Sequence, residues 1–313
     1  MTRPTLKHHV EFGAFRLASA LIGVLPERVA LSLAESLGSL AGNVLRIRRN
    51  DVDQHLETAF PEATPEWRRR VARASYRHLA REAVATFRLS NSSPDDVRRC
   101  TTVHGFQELE AALEEGRGAI LIAGHLGNWE IGGASLVARG MPIDVVVFPQ
   151  KNPMFDRHLA NARARLGMTI IAKADASRMV LESLRQGRVV ALMADQNSRT
   201  RPVFVDFFGV SAATAKGPAV FALRTGAPLF LVVPLREPGW PARYRVLIER
   251  VPVARTGALN ADVLHLTRAH VALLEDHVRN APEQYFWLHR RWKTRPPEAS
   301  GALGQEPPSE LAV

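Results

Sequence analysis

From Val103 to Asn280 short apolar runs alternate with stretches of helical periodicity, and that alternation limits the possible folds more than any other feature of the chain. A helix expected at Phe106–Glu115 leads through Gly116-Arg117-Gly118 to a buried strand at 118–123. Helix Ile131–Ala138 leads to strand Ile143–Phe148, helix Met154–Leu166 to strand Thr169–Ala172, and helix Ser177–Gln186 to strand Val189–Met193. A strand at Phe204–Phe207, a helix at Lys216–Thr225, strands Pro228–Leu235 and Arg243–Val251, and a helix at Asp262–Asn280 follow. Strands joined through helices run parallel and are covered on both faces. The expected fold is therefore α/β, a mostly parallel, mixed sheet with helices on both faces and an antiparallel edge late in the chain. In such sheets ligands bind beyond the carboxyl ends of the strands.

The region before Val103 reads differently. Leu17–Leu25 carries no charge and follows Arg3, Lys7 and Arg16; Val29–Leu45 is apolar, rich in small residues, and ends at Arg46, Arg48 and Arg49. Leu17–Leu25 is too short to cross a bilayer alone, where roughly 20 apolar residues are needed, and no small-x-small cleavage site suggests a signal peptide. The two segments read as a helical hairpin lying on a membrane surface, or equally as one packed on the core. The helix expected from Glu66 to about Leu89 carries Arg68, Arg69, Arg70, Arg73, Arg77 and Arg81, a face for solvent, headgroups or an acidic carrier. The resulting division is 1–50 for the membrane-associating helices, 51–297 for the α/β domain, and 298–313 for a disordered tail rich in Pro, Glu, Gly and Ser.

A formal net charge of +10 favours anionic partners. Nucleic acid is not expected among them, because the arginines are spread over several helices without interleaved aromatics. The single cysteine, Cys100, excludes an internal disulfide. No metal-ligand spacing, Walker loop or Gly-x-Gly-x-x-Gly occurs, so no cofactor and no metal are expected.

The strand at 118–123 runs into Gly124-His125-Leu126-Gly127-Asn128-Trp129-Glu130. His125 thus stands at a strand's carboxyl end, and Glu130 follows about one helical turn later. A carboxylate there can accept the imidazole Nδ1–H, leaving Nε2 to take a proton from a hydroxyl. Asn128 and Glu130 also suit a helix start. No serine or cysteine reads as a covalent nucleophile, which favours direct transfer to a substrate hydroxyl. On the same predicted edge lie Lys151 and Asn152, with Arg163 and Arg165 on the next helix. Asp195 and Gln196 follow a third strand, where Asp195 could also buttress its loop, and Thr214 precedes a helix N-terminus suited to an anion or oxyanion. A basic pocket containing carboxylates, beside a membrane-associating segment, suggests a phosphorylated lipid substrate.

An ordered series of motifs extends from about residue 10 to 297: Ala59-Phe60-Pro61, the segment from Gly124 to Glu130, Lys151-Asn152-Pro153, Arg163 to Gly167, Ala194-Asp195-Gln196, Phe207-Phe208-Gly209, Thr214 to Ala219, Thr225 to Pro228, and Pro282 to Pro296. In this series the chain resembles the bacterial lipid A late acyltransferases, within the glycerophosphate/lysophospholipid acyltransferase superfamily marked by His-x4-Asp/Glu. The resemblance implies an acyl chain moved from an acyl carrier protein thioester to a hydroxyl of a lipid A precursor, at the inner face of the cytoplasmic membrane. It implies His125 as base with Glu130 orienting it, and Lys151, Arg163 and Arg165 as candidates for substrate phosphate or for the carrier. Asn152, Asp195, Gln196 and Thr214 complete the implied substrate pocket. Phe148 and His55 depart from the family pattern, where arginine and asparagine are common. A related family that acylates phosphatidylinositol mannosides uses the same His-x4-acid logic and is the alternative acceptor class.

Overall fold

In the computed structural model, which describes residues 4–90 and 92–297, the apolar runs pair into one seven-stranded sheet. The tail expected at 298–313 lies outside the described residues. Five helices come first: α1 (Leu6–Val24), α2 (Glu27–Asn43), α3 (Arg49–Ala59), α4 (Pro65–Leu89) and α5 (Pro94–Cys100). The alternating part comprises β1 (Thr101–His104), α6 (Phe106–Glu114), β2 (Ala119–Ala123), α7 (Trp129–Val137), β3 (Ile143–Val147), α8 (Pro153–Arg165), β4 (Thr169–Ala172), α9 (Ala176–Arg185) and β5 (Val189–Met193). It continues with β6 (Val203–Phe207), β7 (Val210–Thr214), α10 (Gly217–Thr225), β8 (Leu229–Arg236), β9 (Tyr244–Arg250) and α11 (Leu259–Asn280).

Strand order is β1-β9-β8-β2-β5-β3-β4. Within this sheet only the β8–β9 pair is antiparallel, so the sheet is mostly parallel and reverses direction near one edge. The period-two geometry of β2 explains why both faces are covered. Ile120 and Ile122 point into the core built with α10 and α11, whereas Ala119 and Leu121 point into a second core with Leu109 of α6 and Leu136 of α7. The sequence does not signal β7. Its small residues, Val-Ser-Ala-Ala-Thr, alternate weakly, and it exists as the partner of β6 in a separate two-stranded ribbon.

The N-terminal pair differs from the expected hairpin. Both α1 and α2 take α4 as a neighbour, and α1 also packs on α8. The buried stripe of α2 is made of small residues, Ala30, Ala34, Gly38 and Gly42 with Leu31. A Cβ at Gly42 would sit 2.5 Å from the Tyr76 ring, so the α2–α4 approach depends on that glycine. Large apolar residues on the other faces remain exposed: Leu17, Leu21 and Val24 of α1, and Val29, Leu33, Leu37 and Leu40 of α2. Among the described residues, no helix is long and apolar enough to cross a membrane.

Two histidines inside these packed helices carry a pH cost. His78 of α4 and His270 of α11 are buried, and among the described residues Nε2 of each finds no hydrogen-bond partner. Burial lowers His78 to about 4 and His270 to about 3, against an ordinary value of about 6.5. Between those values the unfolded chain binds protons that the folded chain does not, so stability falls as pH falls below about 6.5. At pH 5 each histidine should have cost about 2 kcal/mol. Denaturation midpoints should drop between pH 7 and 5, and His270→Leu should remove a substantial part of that drop. An unchanged pH profile in His270→Leu would contradict this account.

Candidate active site

The loop after β2 is fixed from three sides. Its Gly127 has φ +65°, and an added Cβ would lie 1.8 Å from the carbonyl oxygen of Pro234 in β8. The approach is that close because the Asn128 N–H donates to the same Pro234 oxygen at 2.9 Å. From the C-terminal side, the segment after α11 lies along the loop: Phe286 N–H donates to the His125 carbonyl at 2.9 Å, and Gly127 N–H to that of Gln284 at 3.0 Å. On the α7 side, the Asn128 side-chain oxygen accepts from Ile131 N–H at 3.1 Å and starts the helix.

His125 and Asp195 meet because their strands are neighbours in register. Ala123 of β2 pairs with Met193 of β5, and each side chain lies two residues further along. Asp195 Oδ1 accepts from His125 Nδ1 at 2.7 Å, and Oδ2 accepts the His125 backbone N–H at 2.7 Å. Burial alone would raise the Asp195 pKa. Its electrostatic pairing with His125, including two hydrogen bonds, with Arg291 behind, nonetheless holds it below the ordinary aspartate range. A carboxylate can only accept, so Nδ1 donates its proton to Asp195 and Nε2 faces away from it.

The Nδ1 partner is therefore Asp195 and not Glu130, which corrects the contact inferred from spacing. Glu130 sits in the first turn of α7, where Arg163 of α8 holds both its oxygens, with Nε to Oε2 at 3.0 Å and Nη2 to Oε1. A bidentate guanidinium outcompetes an imidazole for a carboxylate. Nothing in the local sequence shows that Arg163, 33 residues away, would claim it.

The remaining expected site residues divide. Gln196 reaches the centre, its Nε2 lying 3.2 Å from His125 Nε2, the position an incoming hydroxyl would take. Lys151 and Arg165 are exposed but stand at opposite ends of α8, about 18 Å apart along its axis. Asn152 is buried: it caps α8 by accepting Met154 N–H, and its amide donates to His8 O and Glu11 Oε2 of α1. Thr214 is fully buried and accepts from Arg291 Nη2 at 2.6 Å, so it supports the site from beneath rather than opening onto it.

Several residues around His125 carried no role in the sequence reading. Trp129 sets its ring edge-on to the imidazole, with centroids 4.7 Å apart, and Phe286 closes another side at 5.9 Å. Arg291 is buried and also donates to Ala213 O. His289 accepts from Asn197 N–H at 2.8 Å, and burial lowers its pKa to about 4, so it stays neutral beside Asp195. Trp129 belongs to the Gly124–Glu130 segment, and the signal for Phe286, His289 and Arg291 is the dense aromatic and arginine run from Tyr285 to Trp292. Among the described residues, no group of three His, Cys, Asp or Glu is placed to hold a metal ion.

Fold and site together place a carboxylate-backed imidazole at the carboxyl edge of a mostly parallel α/β sheet, an arrangement suited to taking a proton. The family model described as "Bacterial lipid A biosynthesis acyltransferase" matches residues 3–294. The chain belongs to that family and is an O-acyltransferase. It is 27% identical over 274 residues to the lipid A biosynthesis palmitoleoyltransferase of Escherichia coli (strain K12), covering 87% of each chain. It is 29% identical over 279 residues to the lauroyltransferase of the same organism, covering 88% of this chain and 89% of the relative. The phosphatidylinositol mannoside acyltransferase of Mycolicibacterium smegmatis is 30% identical over 237 residues, 74% of each chain.

Proposed function

We propose that the protein transfers a fatty acyl chain from an acyl carrier protein thioester to a hydroxyl of a lipid A precursor, with His125 as general base. The observation that carries this reading is the Nδ1–Asp195 bond at 2.7 Å, which leaves Nε2 facing the exposed amide of Gln196. The acceptor hydroxyl displaces that amide and gives its proton to Nε2. Its oxygen attacks the thioester carbonyl carbon, forming a tetrahedral oxyanion. Collapse breaks the C–S bond, and the imidazolium returns its proton to the departing thiolate. Asp195 takes the orienting role that spacing assigned to Glu130. Glu130, locked to Arg163, shapes the wall beside Trp129, and its place in the reaction is electrostatic rather than through Nδ1. Lys151 and Arg165 are exposed cations for substrate phosphate or for the acidic carrier.

The exposed leucine stripes of α1 and α2 support docking on the cytoplasmic membrane without crossing it. They give a lipid acceptor a short path to the enzyme. Residues 1–50 then form a membrane-associating unit and 51–297 the transferase domain.

The test is a product-mass assay in detergent and on anionic vesicles. The expected result is one added acyl chain on a tetra-acylated lipid A precursor, from acyl carrier protein and not from coenzyme A. Vesicle co-sedimentation should be lost in Leu33→Glu/Leu37→Glu. A wild-type protein that leaves the lipid A precursor untouched but acylates a phosphatidylinositol mannoside would replace the acceptor. Transfer from coenzyme A alone would replace the donor.

A further inference from the structure

Behind the His125 loop lies a buried polar cluster that the acyl transfer described above does not use. Glu82 of α4 is 5% exposed, yet its carboxylate is fully engaged. Oε1 accepts from Arg236 Nη1 at 3.2 Å; Oε2 accepts from Tyr244 Oη at 2.8 Å and from the Asn128 amide at 2.8 Å. Arg236 and Tyr244 are cross-strand partners on β8 and β9, so the sheet presents them together. Arg236 Nη1 also donates to Tyr244 Oη at 3.0 Å, and its backbone N–H and C=O are both held by the Gln284 side chain. His78 lies one helical turn before Glu82, with Nδ1 4.0 Å from Oε1.

A buried ion pair is a poor source of stability, since apolar residues of similar volume often do as well or better. What this one does is geometric. Three side-chain contacts fix the orientation of Asn128: its oxygen accepts Ile131 N–H to begin α7 and the Thr86 hydroxyl at 3.3 Å, and its amide donates to Glu82. Turned over, it would set oxygen against carboxylate and N–H against N–H. Asn128 lies three residues after His125 on a loop whose backbone is already pinned at Phe286, Gln284 and Pro234.

We infer that Glu82 is a positioning residue for acyl transfer: anchored by Arg236 and Tyr244, it holds Asn128 and thereby sets the His125 loop against Asp195. The inference rests on His125 being the base.

The test compares Glu82→Gln, Asn128→Asp and the reciprocal swap Glu82→Gln/Asn128→Asp with wild type. It uses steady-state kinetics, thermal midpoints and hydrogen exchange of the backbone amides from 125 to 131. Each single variant should lower kcat by about 10- to 100-fold, the scale of a small misplacement at a reacting centre, with KM for the acceptor unchanged. Exchange at those amides should quicken by about tenfold while β5 is unaffected. The swap restores one donor facing one carboxylate and should recover most of the lost kcat. If a Glu82 variant fails to fold, Asn128→Ser decides alone. Serine still caps α7, and Glu82 keeps Arg236 and Tyr244, so kcat and local exchange should change as above. Wild-type kcat and exchange in folded single variants, or a swap no better than its parents, would overturn the inference. A wild-type enzyme whose transfer does not depend on His125 would instead sink the functional reading, and the exchange measurement would still decide whether Glu82 holds the loop.

Discussion

Asp195→Asn should lower kcat by about 1,000- to 10,000-fold, the scale seen when a catalytic histidine is held in the wrong tautomer. The aspartate accepts both the His125 backbone N–H and Nδ1–H at 2.7 Å. An asparagine keeps the shape but has one oxygen for two donors. If that oxygen keeps the backbone N–H, the amide nitrogen faces the imidazole and forces Nδ1 to accept. The proton then moves to Nε2, where the acceptor hydroxyl needs a base. His125→Ala should fall to a similar floor, and the double variant should lose little more, because residues acting as a unit are not additive. Glu130→Gln should cost less, about 10- to 100-fold, since Glu130 pairs with Arg163 and touches the base only through the loop. Kinetics of the four proteins decide the matter. A Glu130→Gln loss equal to that of Asp195→Asn would return the orienting role to the glutamate.

Gly127→Ala should destabilise the protein by about 3–5 kcal/mol and abolish transfer by whatever remains folded. Two costs combine. The backbone is left-handed at φ +65°, where a side chain is strained, and the new Cβ would fall 1.8 Å from Pro234 O. That oxygen cannot retreat, because Pro234 is paired with Val246 within the sheet and accepts the Asn128 N–H. Gly116 separates the two costs: its φ is +75°, but nothing lies within 4 Å of an added Cβ. Gly116→Ala should therefore cost only about 1–2 kcal/mol and leave transfer intact. Denaturation midpoints of both variants give the comparison, and equal losses would refute the steric part of the argument.

The chain's own pattern determined the α/β class, the positions of β2, β3, β4 and β5, and the placing of His125 and Asp195 at strand ends. Those features depend on short-range periodicity and turn chemistry, which a sequence carries locally. The partner of His125 was a different matter. Glu130 is near in sequence and Asp195 is 70 residues away. Only the strand order, with β5 inserted between β2 and β3, makes Asp195 the neighbour. The same holds for Arg163, which claims Glu130 from another helix, and for Thr214, whose buried hydroxyl is met by an arginine 77 residues later. The exposed leucines of α2 and its buried small residues occupy different faces of one helix. Their sequence spacing marks two stripes, and only the packing on α4 decides which one is covered. Local propensity is written along the chain, whereas the pairing of side chains across a sheet depends on which long loops close, and that was settled by the fold as a whole.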